Sequence, residues 1–316
     1  MNDMTRLQDR PALRERHVVE DLMSRVSPDA RVLRDEPLAK RTTLRVGGPA
    51  DVYVEPAGEA DLAAVLQFCA AHQLPFFVLG RGSNLLVRDG GFRGVVIALA
   101  HPAFAQIEVQ GDSLRCGAGA RLKQVAAEAR RHGLSGMEFF DGIPGSVGGA
   151  LRMNAGAMGS ATFDVVRTVR VMDAQGVVHE WAAADIEVGY RCCPRLREHV
   201  ALGAVFQGRP APREEIERRM NEWNLKRWQS QPASASAGCI FKNPAGIPAG
   251  RLIEELGLKG ARVGGAVVST EHGNFIVNEG NARARDVLEL IALIKYYARA
   301  QRGIELEPEV VIIGED

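Results

Sequence analysis

The sequence predicts an α+β protein of more than one domain, and three observations carry that prediction. The chain has 316 residues, more than a common domain of about 100–150 residues. Helical and strand periodicities follow one another irregularly, without the steady βα repeat of a doubly wound sheet. Hydrophobic residues make up 46% of the chain, enough to bury sizeable cores.

The elements are read in chain order. Residues 14–26 have the spacing of one amphipathic helix, after a stretch at 1–12 expected to be a mobile tail. Residues 51–54 (DVYV) read as a strand. Over 59–72, Leu62, Val65, Leu66 and Cys69 fall on one helical face. Residues 74–79 (LPFFVL) read as the next strand, giving a compact βαβ unit that ends in the glycine-rich turn 80–84. Apolar stretches near 94–99, 104–109 and 112–116 follow, then an amphipathic helix at 121–132 and a glycine-rich segment at 142–159. Strands are predicted at 164–173, 177–182 and 201–206. Residues 212–227 are charged and helical and are expected to open a third domain. A helix at 282–302 and a strand at 309–313 complete the chain, with no internal repeat.

Composition bounds the function. Thirty-nine basic residues balance 39 acidic ones, so no global field draws in nucleic acid. A local basic pocket for a nucleotide stays compatible with that balance. The five cysteines, Cys69, Cys116, Cys192, Cys193 and Cys239, form no CxxC pair and are odd in number. Free thiols in a reducing compartment are the simplest reading, and no metal site is predicted. The first sixteen residues carry charge without an apolar core, so no secretory signal is expected. No apolar run reaches the roughly 18 residues of a membrane helix. The expectation is a soluble, cytoplasmic protein without a nucleic-acid, membrane or obligate protein partner.

Two glycine-rich segments carry the chemistry. Gly80, Arg81, Gly82, Ser83 and Asn84 follow a strand directly. Glycines let backbone approach an anion, consecutive N–H groups form an anion-binding concavity, and Ser83 and Asn84 add donors. A plain tight turn would use the same residues. The pattern is not a Rossmann fingerprint, because Leu85 stands where the third glycine belongs and 85–87 looks extended. The second segment contains Gly142, Gly145, Ser146, Val147, Gly148 and Gly149 and continues to Gly159, with six glycines in eighteen residues. A large flat ligand lying against bare backbone accounts for that density. Two such loops without a Walker lysine favour a dinucleotide such as FAD over a nucleoside triphosphate.

At these residues the chain resembles the UDP-N-acetylenolpyruvoylglucosamine reductase (MurB) family. Residues 41–50 (RTTLRVGGPA) resemble its early signature, 80–84 and 142–149 its two FAD-phosphate loops, and 189–191 (GYR), 236–244 (SAGCIFKNP) and 306–310 (LEPEV) its three catalytic segments, all in the family's order. The resemblance implies a two-part FAD-binding domain of the vanillyl-alcohol-oxidase (PCMH) type plus a smaller α+β substrate-binding domain. The expected boundaries are a tail and helix at 1–29, FAD-binding subdomains at 30–101 and 102–209, the substrate-binding domain at 210–304, and a returning strand within 305–316. There are two departures. Cys239 stands where the family usually has serine, and only about 48 residues separate Arg191 from Cys239, which leaves no room for a long tyrosine-bearing insertion and resembles the type II architecture.

The resemblance implies noncovalent FAD, NADPH as co-substrate, and reduction of the enolpyruvyl ether of a UDP-sugar in peptidoglycan precursor synthesis. It assigns catalysis to Arg191, Cys239 and a glutamate. A guanidinium can grip a carboxylate in a fork and stabilise a developing enolate. A thiol, with an unperturbed pKa of about 8.5, is a far stronger acid than a serine hydroxyl. Glu307 and Glu309 are read on one face of a strand, so spacing leaves both open; the resemblance favours Glu309. Cofactor contacts are expected at 80–84 and from Gly145 to Gly149, and substrate contacts at Tyr190, Arg227, Lys242 and Asn243. His272 is given no role. Another FAD oxidoreductase on the same fold, or a non-catalytic nucleotide-binding protein, remain the alternatives.

Overall fold

The computed structural model describes residues 16–316. The tail expected at 1–12 lies outside the described residues, as do the first two residues of the helix expected at 14–26; the described helix runs Arg16–Arg25. It packs on the helix Glu59–Ala71, where Leu62, Val65, Leu66 and Cys69 are all buried. Burial of each such side chain contributes about 1.5–3 kcal/mol, which fixes this face against the first sheet.

That sheet has the order Arg31–Pro37, Pro49–Glu55, Phe92–Ala98, Phe76–Leu79. The expected βαβ unit forms, but its two strands are not neighbours. Phe92–Ala98 lies between them and pairs in parallel with both, Ile97 facing Val54 on one side and Val78 on the other. The run Gly94–Ala98 is buried throughout, as suits a central strand covered on both faces.

The second sheet is antiparallel, in the order Val178–Ala182, Val166–Met172, Val200–Gln207, Ser113–Gly117, Ile107–Gln110. The apolar stretch at 104–109 divides into a 3₁₀ turn at Pro102–Phe104 and a strand starting at Ile107. The helix Leu122–Arg131 buries Leu122, Val125, Ala126 and Ala129 in this core. The 142–159 segment is not loop throughout. It contains the helix Val147–Met153, ended by Asn154 at a left-handed φ of 39°. Glycine composition hid this helix; a Cβ on Gly148 would sit 3.1 Å from the Ala118 Cβ, so glycine there permits close packing.

The helix Arg213–Ser230 was expected to open the third domain, yet it packs against the second. Its buried apolar residues, Ile216 and Met220, share a core with Phe139 and Phe140, and Arg219 reaches the buried Glu138 at 3.0 Å. The third sheet, in the order Ser236–Cys239, Phe275–Asn278, Ala266–Val268, Arg262–Val263, is covered by the helices Ala249–Glu255 and Ala284–Arg302. The chain then returns: Val311–Ile313 pairs in parallel with Leu85–Val87. This strand starts later than expected. Glu307 and Glu309 precede it because their backbone is engaged elsewhere, Glu307 O accepting from Lys242 N and Glu309 N donating to Ile240 O. No helix among the described residues is long and apolar enough to cross a membrane.

Candidate functional site

A cavity of about 840 Å³ opens between the first and second sheets, within the roughly 300–1,000 Å³ of small-molecule sites. Gly80 and Arg81 of the first glycine-rich turn line it together with Ser146, Gly148 and Gly149 of the second. The two segments meet closely, since a Cβ on Gly80 would lie 2.9 Å from Ser146 Oγ. Gly82 adopts φ 60°, and a Cβ there would lie 2.4 Å from Arg41 O. Only glycine lets the turn close on 41–43, where Thr43 donates its N–H to Gly82 O at 3.1 Å. Gly82, Ser83, Asn84, Gly145 and Val147 stand outside the cavity wall.

The wall is cationic. Lys40, Arg41, Arg81, Arg121 and Arg152 line it, and no carboxylate does among the described residues. Arg41 is compensated, pairing with Glu36 at 2.8 Å and Glu55 at 3.4 Å and stacking 4.5 Å over the Tyr53 ring. The phenol of Tyr53 donates to Glu55 Oε1; burial and that carboxylate push its pKa far above the usual phenol value. Val78, Leu79, Leu99, Leu196 and Val200 supply apolar surface. Bare backbone, excess cations and apolar walls suit a flat ring joined to a diphosphate, so the residues present fit FAD.

Beyond this cavity Arg191, Cys239 and Glu309 converge from three distant parts of the chain. Arg191 Nε donates to Glu309 Oε1 at 2.6 Å, and an Nη donates to Gly156 O at 3.1 Å. Arg191 sits in the tight turn Gly189–Cys192 at φ 55°, a conformation that costs a non-glycine residue about 1–3 kcal/mol and persists where the surroundings hold it. Here the holding groups are Glu309, Gly156 and Asn154, whose Nδ2 donates to Gly189 O at 3.2 Å. Cys239 comes alongside because its neighbour Ile240 accepts Glu309 N at 2.7 Å. Burial and the Glu309 charge push the thiol up to about 12, against the pull of Arg191 and Asn274. Glu309 itself is raised, by burial first, with Arg191 opposing. The cavity and this corner are joined through Asn84, whose Nδ2 donates to Glu309 O at 3.1 Å, and through Thr43, whose hydroxyl donates to Ser236 O at 2.6 Å.

The remaining expected residues each have partners of their own. Tyr190 is exposed, with Arg191 over its ring at 5.1 Å. Arg227 donates to Gly142 O and to Gln231, and burial lowers its pKa. Lys242 pairs at 2.5 Å with Glu307, which separates the two glutamates: Glu307 is 70% exposed at its side chain and Glu309 12%. Asn243 Oδ1 accepts the N–H of Ala249, the first residue of the helix Ala249–Glu255. His272 accepts Asn274 N in a turn. Sequence reasoning missed Arg152 and Arg121 as cavity residues and Asn154 as the support of the Arg191 turn. The i, i+3 and i+4 spacing of Arg152 from Gly149 and Gly148 was the available signal.

Residues 50–182 match an FAD binding domain; with the cavity, this defines a flavin-dinucleotide oxidoreductase class. Residues 231–313 match the family description "UDP-N-acetylenolpyruvoylglucosamine reductase, C-terminal domain". The chain is 43% identical to the UDP-N-acetylenolpyruvoylglucosamine reductase of Clostridioides difficile, over 89% of this chain and 93% of that one. It is 44% identical to that of Heliobacterium modesticaldum, over 90% and 91%. The crystal structure of the reductase from Thermus caldophilus superposes with a TM-score of 0.78 at 41% identity, covering 90% of this chain and 98% of that one. The chain belongs to the UDP-N-acetylenolpyruvoylglucosamine reductase family.

Proposed function

We propose that the protein reduces the enolpyruvyl ether of UDP-N-acetylglucosamine enolpyruvate to UDP-N-acetylmuramate, with FAD as cofactor and NADPH as co-substrate, in peptidoglycan precursor synthesis in the cytoplasm. The convergence of Arg191, Cys239 and Glu309 beside an FAD-binding cavity carries this reading. FAD held between the two glycine-rich segments would supply the hydride-transfer chemistry that couples NADPH oxidation to reduction of the enolpyruvyl methylene carbon. Arg191 binds the substrate carboxylate and stabilises the negative charge that develops beside it. Glu309 fixes the Arg191 guanidinium by its Nε, which orients the terminal nitrogens. Cys239 gives a proton to the adjacent carbon. Burial keeps its thiol protonated at neutral pH, and the thiolate left behind is stabilised by Arg191. Tyr190, Arg227, Lys242 and Asn243 contact the sugar nucleotide. Residues 80–84 and Gly145–Gly149 contact the cofactor.

The FAD-binding subdomains in this reading span 30–101 and 102–230, because the helix Arg213–Ser230 shares the second core. The substrate-binding domain starts near 231, and the last strand returns to the first FAD subdomain. NADPH lacks a Rossmann fingerprint in this chain and shares the substrate's pocket. The test is anaerobic. NADPH bleaches the flavin absorbance, and UDP-N-acetylglucosamine enolpyruvate restores it without oxygen. Recovery on admitting dioxygen, with none on adding the sugar nucleotide, assigns the chain to another oxidoreductase of the same fold.

A further inference from the structure

Arg152 differs from the other cations of the cavity. Lys40, Arg81 and Arg121 are exposed, and solvent screens them. Arg41 has two carboxylate partners. Arg152 is half-buried, donates to Leu196 O at 3.0 Å, and has no carboxylate within ion-pair distance among the described residues. Its surroundings oppose its charge: burial lowers its pKa, and the neighbouring Arg197 lowers it further. A desolvated cation without a counter-ion is costly to a fold unless something repays it.

Its place on the helix Val147–Met153 suggests what does. Arg152 lies three residues after Gly149 and four after Gly148, so the three share a face, and all three line the cavity. Leu196, whose carbonyl holds the Arg152 guanidinium, also lines the cavity, so the cation is kept at the same wall as two residues that have no side chains. We infer that Arg152 is the counter-charge for the phosphoryl groups of the dinucleotide cofactor, so that a side-chain cation as well as glycine backbone holds the anion. This rests on the reading of the cavity as the FAD site.

The test measures FAD binding to apoprotein freed of flavin by acid and high salt, for wild type, Arg152→Met and Arg152→Lys, at low and high ionic strength, together with the melting temperature of each apoprotein. Losing one charge-assisted contact weakens FAD binding by roughly ten- to a hundredfold. Arg152→Met is expected to do so at low salt and to flatten the salt dependence, while its apoprotein melts at the wild-type temperature or above, since an unpaired charge has gone. Arg152→Lys keeps the charge and stays within about tenfold of wild type. An Arg152→Met variant that binds FAD as wild type does overturns the inference. So does a loss with an unchanged salt slope or a lowered apoprotein melting temperature, either of which makes Arg152 a packing residue. If Arg152→Met fails to fold, the role is structural and the inference falls. Wild-type apoprotein that takes up no FAD overturns the flavin reading itself.

Discussion

The cavity and the Arg191 corner treat charge in opposite ways. Along the cavity, Lys40, Arg81, Arg121 and Arg152 share one lining, with no carboxylate among the described residues of the wall. At the corner, Arg191 is bound to Glu309 at 2.6 Å and both are largely shielded from water. An unbalanced wall prepares for a ligand that arrives charged, as a diphosphate does. A balanced pair prepares for charge that appears only during reaction, because fixed, oriented groups need not reorganise when it develops. The corner thereby holds a protonated thiol beside a carboxylate and a guanidinium.

The largest effect that would sharpen this contrast is on Cys239. Positioned proton donors contribute about 10²–10⁴-fold. Cys239→Ala should therefore slow substrate-dependent flavin reoxidation by at least about a hundredfold, and Cys239→Ser should retain more activity than the alanine variant. Reoxidation of the alanine variant at the wild-type rate, measured in a single turnover, would make Cys239 a packing residue. The thiol also reports the local field. Its pKa is raised toward 12, so the proton is held through neutral pH. Alkylation by iodoacetamide, which needs thiolate, should climb about tenfold per pH unit from pH 7 to 10. An unperturbed thiol of pKa about 8.5 would level off near pH 9. Glu309→Gln should speed labelling at fixed pH, because a charge that raises the pKa is gone. A plateau near or below pH 9 would break the account of this corner.

The smallest effect belongs to Glu307. Its pair with Lys242 is solvent-exposed on the Glu307 side, and such pairs contribute about 0–1 kcal/mol. Glu307→Ala should change the denaturation midpoint by no more than that and leave Cys239 labelling unchanged. A labelling change equal to that of Glu309→Gln would show that the two glutamates had been assigned the wrong way round.

Local features were legible in the sequence, and long-range pairings were not. Leu62, Val65, Leu66 and Cys69 marked their helix face because periodicity is a property of one segment. The glycine-rich turns marked the cavity for the same reason, although the density of glycine concealed the helix Val147–Met153. The insertion of Phe92–Ala98 between the strands flanking Glu59–Ala71 left no local trace, since parallel neighbours are chosen by burial across the sheet. The late start of the last strand depended on Ile240 and Lys242 capturing the backbone of Glu309 and Glu307. The corner residues were found through resemblance to a family; spacing alone could not bring Arg191 to Glu309, and it left Glu307 equally open. Asn154 and Asn84, which support the corner through Gly189 and Glu309, become visible only when the chain is folded.

The most direct measurement is anaerobic stopped-flow of the Arg191→Ala and Glu309→Ala variants, following flavin absorbance through each half-reaction separately. Arg191 and Glu309 act on the charge that develops on the sugar-nucleotide substrate, which the first half-reaction does not generate, so reduction by NADPH should proceed at close to the wild-type rate although NADPH enters the same pocket. Reoxidation by UDP-N-acetylglucosamine enolpyruvate should slow by roughly a hundredfold or more, the scale of removing one charge-stabilising group. Equal slowing of both half-reactions, or wild-type reoxidation in either variant, would contradict the division of labour between cavity and corner.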